Sequence, residues 1–209
     1  MTDGYHISQG NEEKGPFTLE ELTEMGIDLD TMVLSPGADD WQRAADLPEF
    51  FNYFEATGIY FPTEDNLAGF WWRLLAYFID YFTLGYVLAL FTSGITAPLS
   101  KKILDNTMTS ADMPLFVQIC LLNFLAYVFY HSALEASPLQ GSLGKRFCGL
   151  VVVDADGRRL KYGRALSRNF SKFFSSIAFG VGYLSILWDD RKQAWHDKIA
   201  KTYVLVRNR

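Results

Sequence analysis

Two charged side chains, Arg73 and Asp80, lie within an apolar stretch long enough to cross a bilayer. A helix of roughly 20 apolar residues spans a hydrocarbon core about 30 Å thick, and residues 67–91 meet that requirement. A charge at the centre of such a helix costs about 2.5–3.5 kcal/mol. Both side chains project from one helix face but lie about 10 Å apart along the axis. We therefore expect each to contact a polar group from another segment.

Candidate partners for these two residues lie more than eighty residues further along the chain. Arg168 and His196 are available cations, and Asp197 is the natural carboxylate for an arginine. We predict a buried polar network of Arg73, Asp80, Arg168, His196 and Asp197 that joins the first helix to the C-terminal segment. In a functional interpretation Asp80 binds a cation or proton during exchange. In a structural interpretation the network only holds the C-terminal segment in place.

The sequence lacks the patterns that are typical of an enzyme. His196-Asp197 is one dipeptide, with no second metal-ligand cluster, phosphate-binding loop or nucleophile motif. Cys120 and Cys148 have no metal-ligand spacing, and we expect both to be packing residues rather than a disulfide. We therefore expect no catalytic residues, no metal site and no cofactor.

The charge distribution divides the chain into two parts. Residues 1–65 carry fifteen acidic residues against two basic ones, whereas residues 66–209 carry seventeen basic against nine acidic. This asymmetry predicts an acidic soluble module joined to a basic module that meets a membrane surface. Nucleic acid is not an expected partner, because the basic residues lie between apolar segments. The N-terminus lacks the features of a signal peptide, which predicts a cytoplasmic acidic module.

Hydropathy predicts spans at about residues 69–92 and 115–134, with a polar loop at 94–114 between them. Residues 137–172 carry eight basic residues and two acids, so the positive-inside rule places that segment in the cytoplasm. Two crossings agree with a cytoplasmic N-terminal module.

The remaining C-terminal segments mix strands with an interfacial helix. The pattern at 149–158 predicts a β-hairpin turning at Asp156-Gly157, and residues 202–206 form another strand that could join it. Basic residues at four-residue spacing predict an amphipathic helix at 163–173. Residues 173–188 are apolar but short for a crossing, which favours a re-entrant segment over a third span.

Three blocks of this half resemble the RDD family, which is named for one arginine and two aspartates. They are RLLA with the later ID at residues 73–80, SLGKR followed by GLVV and DG at residues 142–157, and QAWHDKIAKTYV at residues 193–204. The family commonly has glycine where this sequence has Lys201. The resemblance implies a small multi-pass inner-membrane protein, for which transport of ions or small ligands has been suggested. Since only two spans are clear, we expect a complete transport path to require a homo-oligomer.

The acidic module begins with a strand-like run at Tyr5 and continues to a helix. Thr18 followed by Glu21 is a capping box, and Gly26 marks the end of that helix. Further strand-like and helical runs complete a compact α+β module.

The module resembles the bacterial GYF-like domain, of the type called GYF domain 2. The resemblance rests on four blocks in the family's order: the opening Tyr5, Gly-Pro-Phe with Leu-Glu-Glu-Leu at residues 15–22, Asp-Thr-Met-Val at residues 30–33, and Trp41. It implies that Tyr5, Phe17 and Trp41 form an aromatic surface for a proline-rich peptide or protein, whose preformed polyproline II helix loses little entropy on docking. The alternative is that all three are core residues.

The predicted architecture is a small α+β cytoplasmic domain followed by an α-helical multi-pass membrane domain with a short cytoplasmic β-hairpin or sheet. The domains are expected at residues 1–56 and 67–206, with a linker at 57–66. We expect a bacterial inner-membrane protein that transports or exchanges ions or small ligands and carries a protein-interaction module. The alternative is a membrane-anchored adaptor that recruits proline-rich partners without transport.

Overall fold

The computed structural model describes residues 4–10, 12–177 and 180–207. The chain forms two compact units, Met1–Tyr60 and Phe61–Arg209. The boundary falls within the stretch at 57–66 that the sequence marks as a linker. A strand-rich first unit and a helical second unit confirm the predicted fold class.

The first unit is a four-stranded antiparallel sheet with two short helices. Its strands lie in the order β2-β1-β3-β4. The strands are β1 (Tyr5–Gln9), β2 (Glu12–Phe17), β3 (Met32–Leu34) and β4 (Gln42–Arg43), and the helices are α1 (Leu19–Met25) and α2 (Phe51–Ala56). The core consists of apolar side chains from sheet and helices, among them Leu22, Val33, Phe50 and Phe54.

Both predicted ends of α1 are confirmed. The Thr18 hydroxyl accepts a hydrogen bond from the Glu21 backbone N–H at 3.2 Å, and the Glu21 carboxylate accepts one from the Thr18 N–H at 2.7 Å. These reciprocal bonds satisfy backbone donors that a helix start leaves free. The helix ends at Gly26, whose φ of 77° lies in the left-handed region that glycine adopts without steric cost.

The second unit contains two helices that are long and apolar enough to cross a membrane, α3 (Phe70–Leu104) and α4 (Met113–Glu135). The predicted polar loop at 94–114 is wrong over its first half, because α3 continues to Leu104. Gly94 and Pro98 indicate a break in the sequence, but apolar residues continue past them. The helix continues through Pro98 to Leu104, and long apolar helices tolerate a proline in this way.

A two-stranded sheet packs beside these helices. The strand β5 (Leu150–Asp154) follows a short helix α5 (Leu143–Phe147) and pairs antiparallel with β6 (Thr202–Val206). In the predicted hairpin at 149–158, the chain after the turn forms only one isolated bridge to β5 among the described residues, between Val153 and Arg159. The C-terminal strand β6 pairs with β5 along its whole length instead. The four residues Leu150, Val151, Val152 and Val153 are fully buried.

The segment between β5 and β6 folds back on itself. Helix α6 (Tyr162–Ile177) is longer than the predicted amphipathic helix at 163–173, and α7 (Val181–Leu184) continues as a 3-10 turn over Ser185–Leu187. Their axes meet at 115°. Residues 178–179 of the predicted re-entrant segment at 173–188 lie outside the described residues. Since β6 pairs with β5, the two ends of this segment meet at the small sheet, and the re-entrant segment stays a prediction.

The last helix, α8 (Trp195–Ala200), precedes β6 and ends at Lys201, whose φ is 53°. This is the position at which the RDD family commonly has glycine. A lysine there adopts a left-handed conformation that an L side chain disfavours by roughly 1 kcal/mol or more.

Candidate functional site

Asp197 lies at the centre of a buried ion-pair cluster that joins three helices. Its Oδ2 accepts a hydrogen bond from Arg73 Nη1 of α3 at 2.5 Å. Its Oδ1 accepts from Arg168 of α6, from Nη2 at 2.6 Å and from Nε at 2.9 Å. The Asp197 carboxylate is fully buried at the first turn of α8. One carboxylate therefore fixes the positions of both arginines.

Arg168 extends the cluster to α4 and α5. Its Nη1 donates to Glu135 Oε1 at 2.6 Å, and the Lys145 ammonium donates to the same oxygen. The Asn169 amide donates to Glu135 Oε2 at 2.8 Å. Arg168 is 1% exposed, so its guanidinium bridges two carboxylates away from solvent. Such a group is stable only when every charge has a partner.

The remaining donors of Arg73 bind backbone rather than carboxylates. Nε donates to the Ala68 carbonyl at 2.9 Å and Nη2 to the Lys192 carbonyl at 2.6 Å. Arg73 thus links the start of α3 to the loop before α8. An arginine placed in this way is a structural crosslink rather than an anchor that reaches lipid phosphates.

Burial and neighbouring charges shift the pKa values of the ionisable residues that lie outside the two long helices. Burial raises the pKa of Asp197, but Arg168 and Arg73 outweigh burial and hold that pKa well below its usual value. Burial lowers the pKa of Lys145, and Glu135 opposes that shift. Burial holds the pKa of His196 well below its usual value, so its imidazole is neutral at pH 7. The stable charge pattern is therefore ionised Asp197 between two guanidinium groups.

The structure places Asp80 apart from the other predicted network residues. Its carboxylate accepts hydrogen bonds from Ser142 Oγ at 2.5 Å, the Gly144 N–H at 2.7 Å and the Tyr130 hydroxyl at 3.1 Å. All three donors are neutral, and no ion pair to Asp80 occurs within the described part of the chain. Two of these three donors lie at the start of α5, where backbone N–H groups have no partner within the helix and are free to bind the Asp80 carboxylate.

His196 lies beside the cluster but is weakly bonded to it. Its Nε2 is 3.6 Å from Asp197 Oδ1, which is too long for a hydrogen bond. Its Nδ1 is buried without a hydrogen-bond partner among the described residues, and its ring lies 5.3 Å from that of Tyr183. The predicted network therefore forms from Arg73, Arg168 and Asp197, with His196 as a neighbour.

Several residues of the site were not predicted. Glu135, Lys145 and Lys172 are buried polar residues that were not among those predicted for the network. The available signal was Glu135 at the end of an apolar helix, since a buried acid requires a cation. Its partners come from 10 and 33 residues away, and spacing alone does not identify them.

A cavity of about 450 Å³ lies beside the cluster within the second unit, and Arg73, Lys145 and Arg168 are among its lining residues. Its lining residues come mainly from α3, α4, α6, α7 and α8, with Lys145 of α5 and Val204 of β6. Its polar lining comprises Arg73, Asp80, His131, Lys145, Arg168, Lys172 and His196, and its aromatic and apolar lining includes Phe70, Tyr77, Tyr127, Tyr183 and Leu184. A volume of this size holds a small molecule.

The predicted aromatic residues of the first unit are all partly exposed rather than core residues. Phe17 lies opposite Tyr5 in the register of β1 and β2. Trp41 immediately precedes β4, and because β1 and β4 both run antiparallel to β3, their starts lie at one end of the sheet. The Tyr5 ring also contacts the core residue Phe50 edge-on at 5.8 Å. The three residues therefore lie at the same end of the sheet.

The residues that the structure describes include no group of three or more His, Cys, Asp or Glu side chains placed to hold a metal ion. Cys120 and Cys148 are free.

Comparisons with known proteins agree with this architecture. The RDD family profile matches residues 67–201 and the GYF domain 2 profile matches residues 5–50. Uncharacterized protein YxaI of Bacillus subtilis is 34% identical over 152 residues, which cover 67% of this chain and 97% of that protein. A proline-rich antigen homolog of Mycobacterium tuberculosis is 26% identical over 142 residues, covering 62% of this chain and 59% of the relative.

No solved structure matches the chain. The RDD profile covers the membrane helices, the ion-pair cluster and α8, which is more than half of the sequence. The chain is therefore a member of the RDD family with an N-terminal GYF domain 2.

Proposed function

We propose that this protein transports or exchanges small ions or ligands across the bacterial inner membrane, and that the cavity of the second unit is its binding site. The observation that carries the proposal is a ligand-sized cavity lined by buried charges, next to two helices of membrane-spanning length. Buried ionisable side chains in such helices are expensive to maintain, and they commonly mark a path for ions or substrates.

The ion-pair cluster supports this role by holding the floor of the cavity rigid. Arg168, Glu135 and Asp197 connect α4, α6 and α8 through short, charge-assisted hydrogen bonds. At the rim, α7 follows Gly180, whose φ is 80°, and its lining residue Leu184 is 39% exposed. Access to the site is proposed to occur at α7. With two clear spans per chain, we also propose that a second copy completes the path.

Filling the cavity from its rim tests the proposal. The purified protein is reconstituted into vesicles, gradients of protons, Na⁺, K⁺ and phosphate are imposed in turn, and each flux is followed with an indicator for the ion under test. Leu184→Trp inserts an indole at the rim and is expected to reduce flux at least tenfold. Leu187→Trp is the matched control, because Leu187 is 58% exposed and does not line the cavity.

Flux in the wild type that equals that of protein-free vesicles for every gradient contradicts transport. Equal flux in the two tryptophan variants contradicts the assignment of the cavity as the path.

The second candidate function is a membrane-anchored adaptor. It is favoured by the partial exposure of Tyr5, Phe17 and Trp41 at one end of the sheet, where a proline-rich ligand finds aromatic rings to pack against. In this proposal the first unit is cytoplasmic and recruits partners to the membrane. Transport and recruitment are compatible in one chain.

A peptide-binding experiment tests recruitment. A fluorescent proline-rich peptide is titrated into the detergent-solubilised full chain, and Trp41→Ala is expected to weaken binding at least tenfold. Gln42→Ala is the control, because successive residues of a strand project to opposite faces. Absence of saturable binding by a library of proline-rich peptides contradicts the adaptor role.

A further inference from the structure

Among the described residues that line the cavity, one basic side chain has no carboxylate partner. Four cationic side chains, Arg73, Lys145, Arg168 and Lys172, line the cavity, and the carboxylates within the same assembly are Asp80, Glu135 and Asp197. Arg73, Arg168 and Lys145 each pair with Glu135 or Asp197. The fourth basic side chain, Lys172, forms no ion pair with any of these carboxylates among the described residues.

Lys172 is 8% exposed, and no acceptor lies within hydrogen-bond distance of its ammonium among the described residues. The Lys172 Nζ atom lies over the face of the Tyr127 ring, 5.2 Å from the ring centroid. A cation–π contact of this kind contributes attraction without neutralising the charge. A buried ammonium is stable only beside an anion, so Lys172 is a candidate contact for an anionic ligand in the cavity.

Two imidazole rings that line the same cavity also have ring nitrogens without a hydrogen-bond partner among the described residues. Both nitrogens of His131, which is 1% exposed, and Nδ1 of His196 have no partner within the described part of the chain. A neutral imidazole offers one N–H donor. Together with the three N–H groups of Lys172, these rings provide donors from three elements, α4, α6 and α8.

We propose that the cavity binds a phosphate group, held by Lys172 with His131 and His196 as neutral donors. Several acceptor oxygens on one phosphorus suit donors that come from several directions. The group is either free phosphate or the headgroup of an anionic lipid, and the apolar rim formed by Phe70, Leu74 and Leu184 accommodates the latter. This inference rests on the proposed role of the cavity as the ligand site.

The test uses the purified full chain in a neutral detergent without phosphate. Sodium phosphate is titrated against sodium chloride of equal ionic strength, and nanodiscs with phosphatidylglycerol are compared with nanodiscs of phosphatidylcholine. The midpoint of thermal unfolding is expected to rise saturably with at least one phosphate source. A response to phosphate identifies a free anion, and a response confined to phosphatidylglycerol identifies a lipid headgroup.

Lys172→Met is expected to abolish that rise and to unfold at a higher temperature than the wild type when no anion is present. Lys172→Arg keeps the charge and is expected to retain the response. Lys161→Met is the matched control, because Lys161 is exposed just before α6. If Lys172→Met does not fold, Leu184→Trp serves as the test variant. It is expected to lower the apparent affinity for the stabilising phosphate source at least tenfold, whereas Leu187→Trp is expected to keep the affinity of the wild type.

The inference is overturned if neither phosphate source stabilises the wild type beyond its chloride or phosphatidylcholine reference. It is equally overturned if folded Lys172→Met responds as the wild type does. Phosphate binding without vesicle flux would leave the site standing and remove transport, whereas flux without phosphate or lipid binding would leave transport standing and remove this ligand.

Discussion

At the scale of single residues, Arg168 determines how the charges of the site are arranged. Its guanidinium has donors in a fixed planar fork, and it uses them on Asp197 with two nitrogens and on Glu135 with the third. A lysine would present one ammonium and reach one carboxylate at a time. The geometry of the cluster therefore depends on arginine in particular.

Neutralising Asp197 is expected to destabilise the protein. Asp197→Asn leaves Arg73 and part of Arg168 buried without a counter-charge, and breaking a buried ion pair costs about 3–5 kcal/mol. The midpoint of thermal unfolding, followed by tryptophan fluorescence in detergent, is expected to fall. Asp190→Asn, at an exposed neighbouring position, is the control and should unfold as the wild type does. Equal midpoints for the two variants would show that the ion pairs contribute nothing to stability.

The same carboxylate predicts how stability depends on pH. The pKa of Asp197 is lower in the folded protein than the unfolded value of about 3.9. A depressed carboxylate pKa contributes stability that is fully present above the unfolded value and is lost as pH falls below it towards the folded value. The unfolding midpoint should therefore be flat from pH 7 to about 5 and decline below about pH 4. Asp197→Asn is expected to decline less steeply, and an identical decline would refute this origin.

At the scale of elements, the contact between α5 and α3 requires a glycine. A Cβ at Gly144 would lie 2.2 Å from the Ala76 carbonyl oxygen and 2.9 Å from the Asp80 carboxyl carbon. The absence of a side chain brings the Gly144 N–H within 2.7 Å of Asp80. Asp80 and Gly144 are thus two halves of one close helix contact, and this supports the structural role of Asp80.

Gly144→Ala is expected to prevent normal packing of α5. The nearest atom to the added methyl is backbone rather than the end of a flexible side chain, so the helices must separate and the Asp80 bonds must lengthen. We expect the yield of folded protein after gel filtration to fall at least fivefold. Gly163→Ala, where a Cβ meets nothing within 4 Å, should retain or slightly increase stability. A normal yield of Gly144→Ala would contradict the close packing.

At the scale of the whole molecule, the pairing of β5 with β6 brings the two ends of the segment between them together. The two strands pair over their full length, from Leu150 opposite Val206 to Asp154 opposite Thr202. The connection between α3 and α4 lies at the far end of the helical hairpin, since each helix is long enough to cross a membrane. We therefore expect the residues of the small sheet and those of this connection to lie on opposite sides of the membrane.

Cysteine labelling in cells tests that arrangement. In a background without Cys120 and Cys148, Asp156→Cys and Lys201→Cys are expected to react with a membrane-impermeant maleimide only after the cells are opened. Asn106→Cys, between α3 and α4, is expected to react in cells whose outer barrier alone is permeabilised. Reaction of Lys201→Cys before the cells are opened would contradict a segment that returns to the side it came from.

Much of this organisation was accessible from sequence because it depends on local patterns. Hydrophobic length predicted two membrane helices, and the capping box at Thr18 and Glu21 predicted the start of α1. The division between an acidic module and a basic one follows from the charge count alone. The end of α3 could not be predicted in this way, because Gly94 and Pro98 are local breakers that a long apolar helix overrides.

The sequence by itself determined that Arg73 and Asp80 require polar partners, because burial of a charge is unfavourable whatever the fold. Only the tertiary structure decided which partners these are. It brought Asp197 to Arg73 across 124 residues and directed Asp80 to Ser142 and Gly144 instead. Within the described part of the chain it placed Lys172 against the Tyr127 ring and beside no carboxylate. The physical reason is that ion pairs and hydrogen bonds act over a few ångströms, and the helix packing that sets those distances is not encoded in residue spacing.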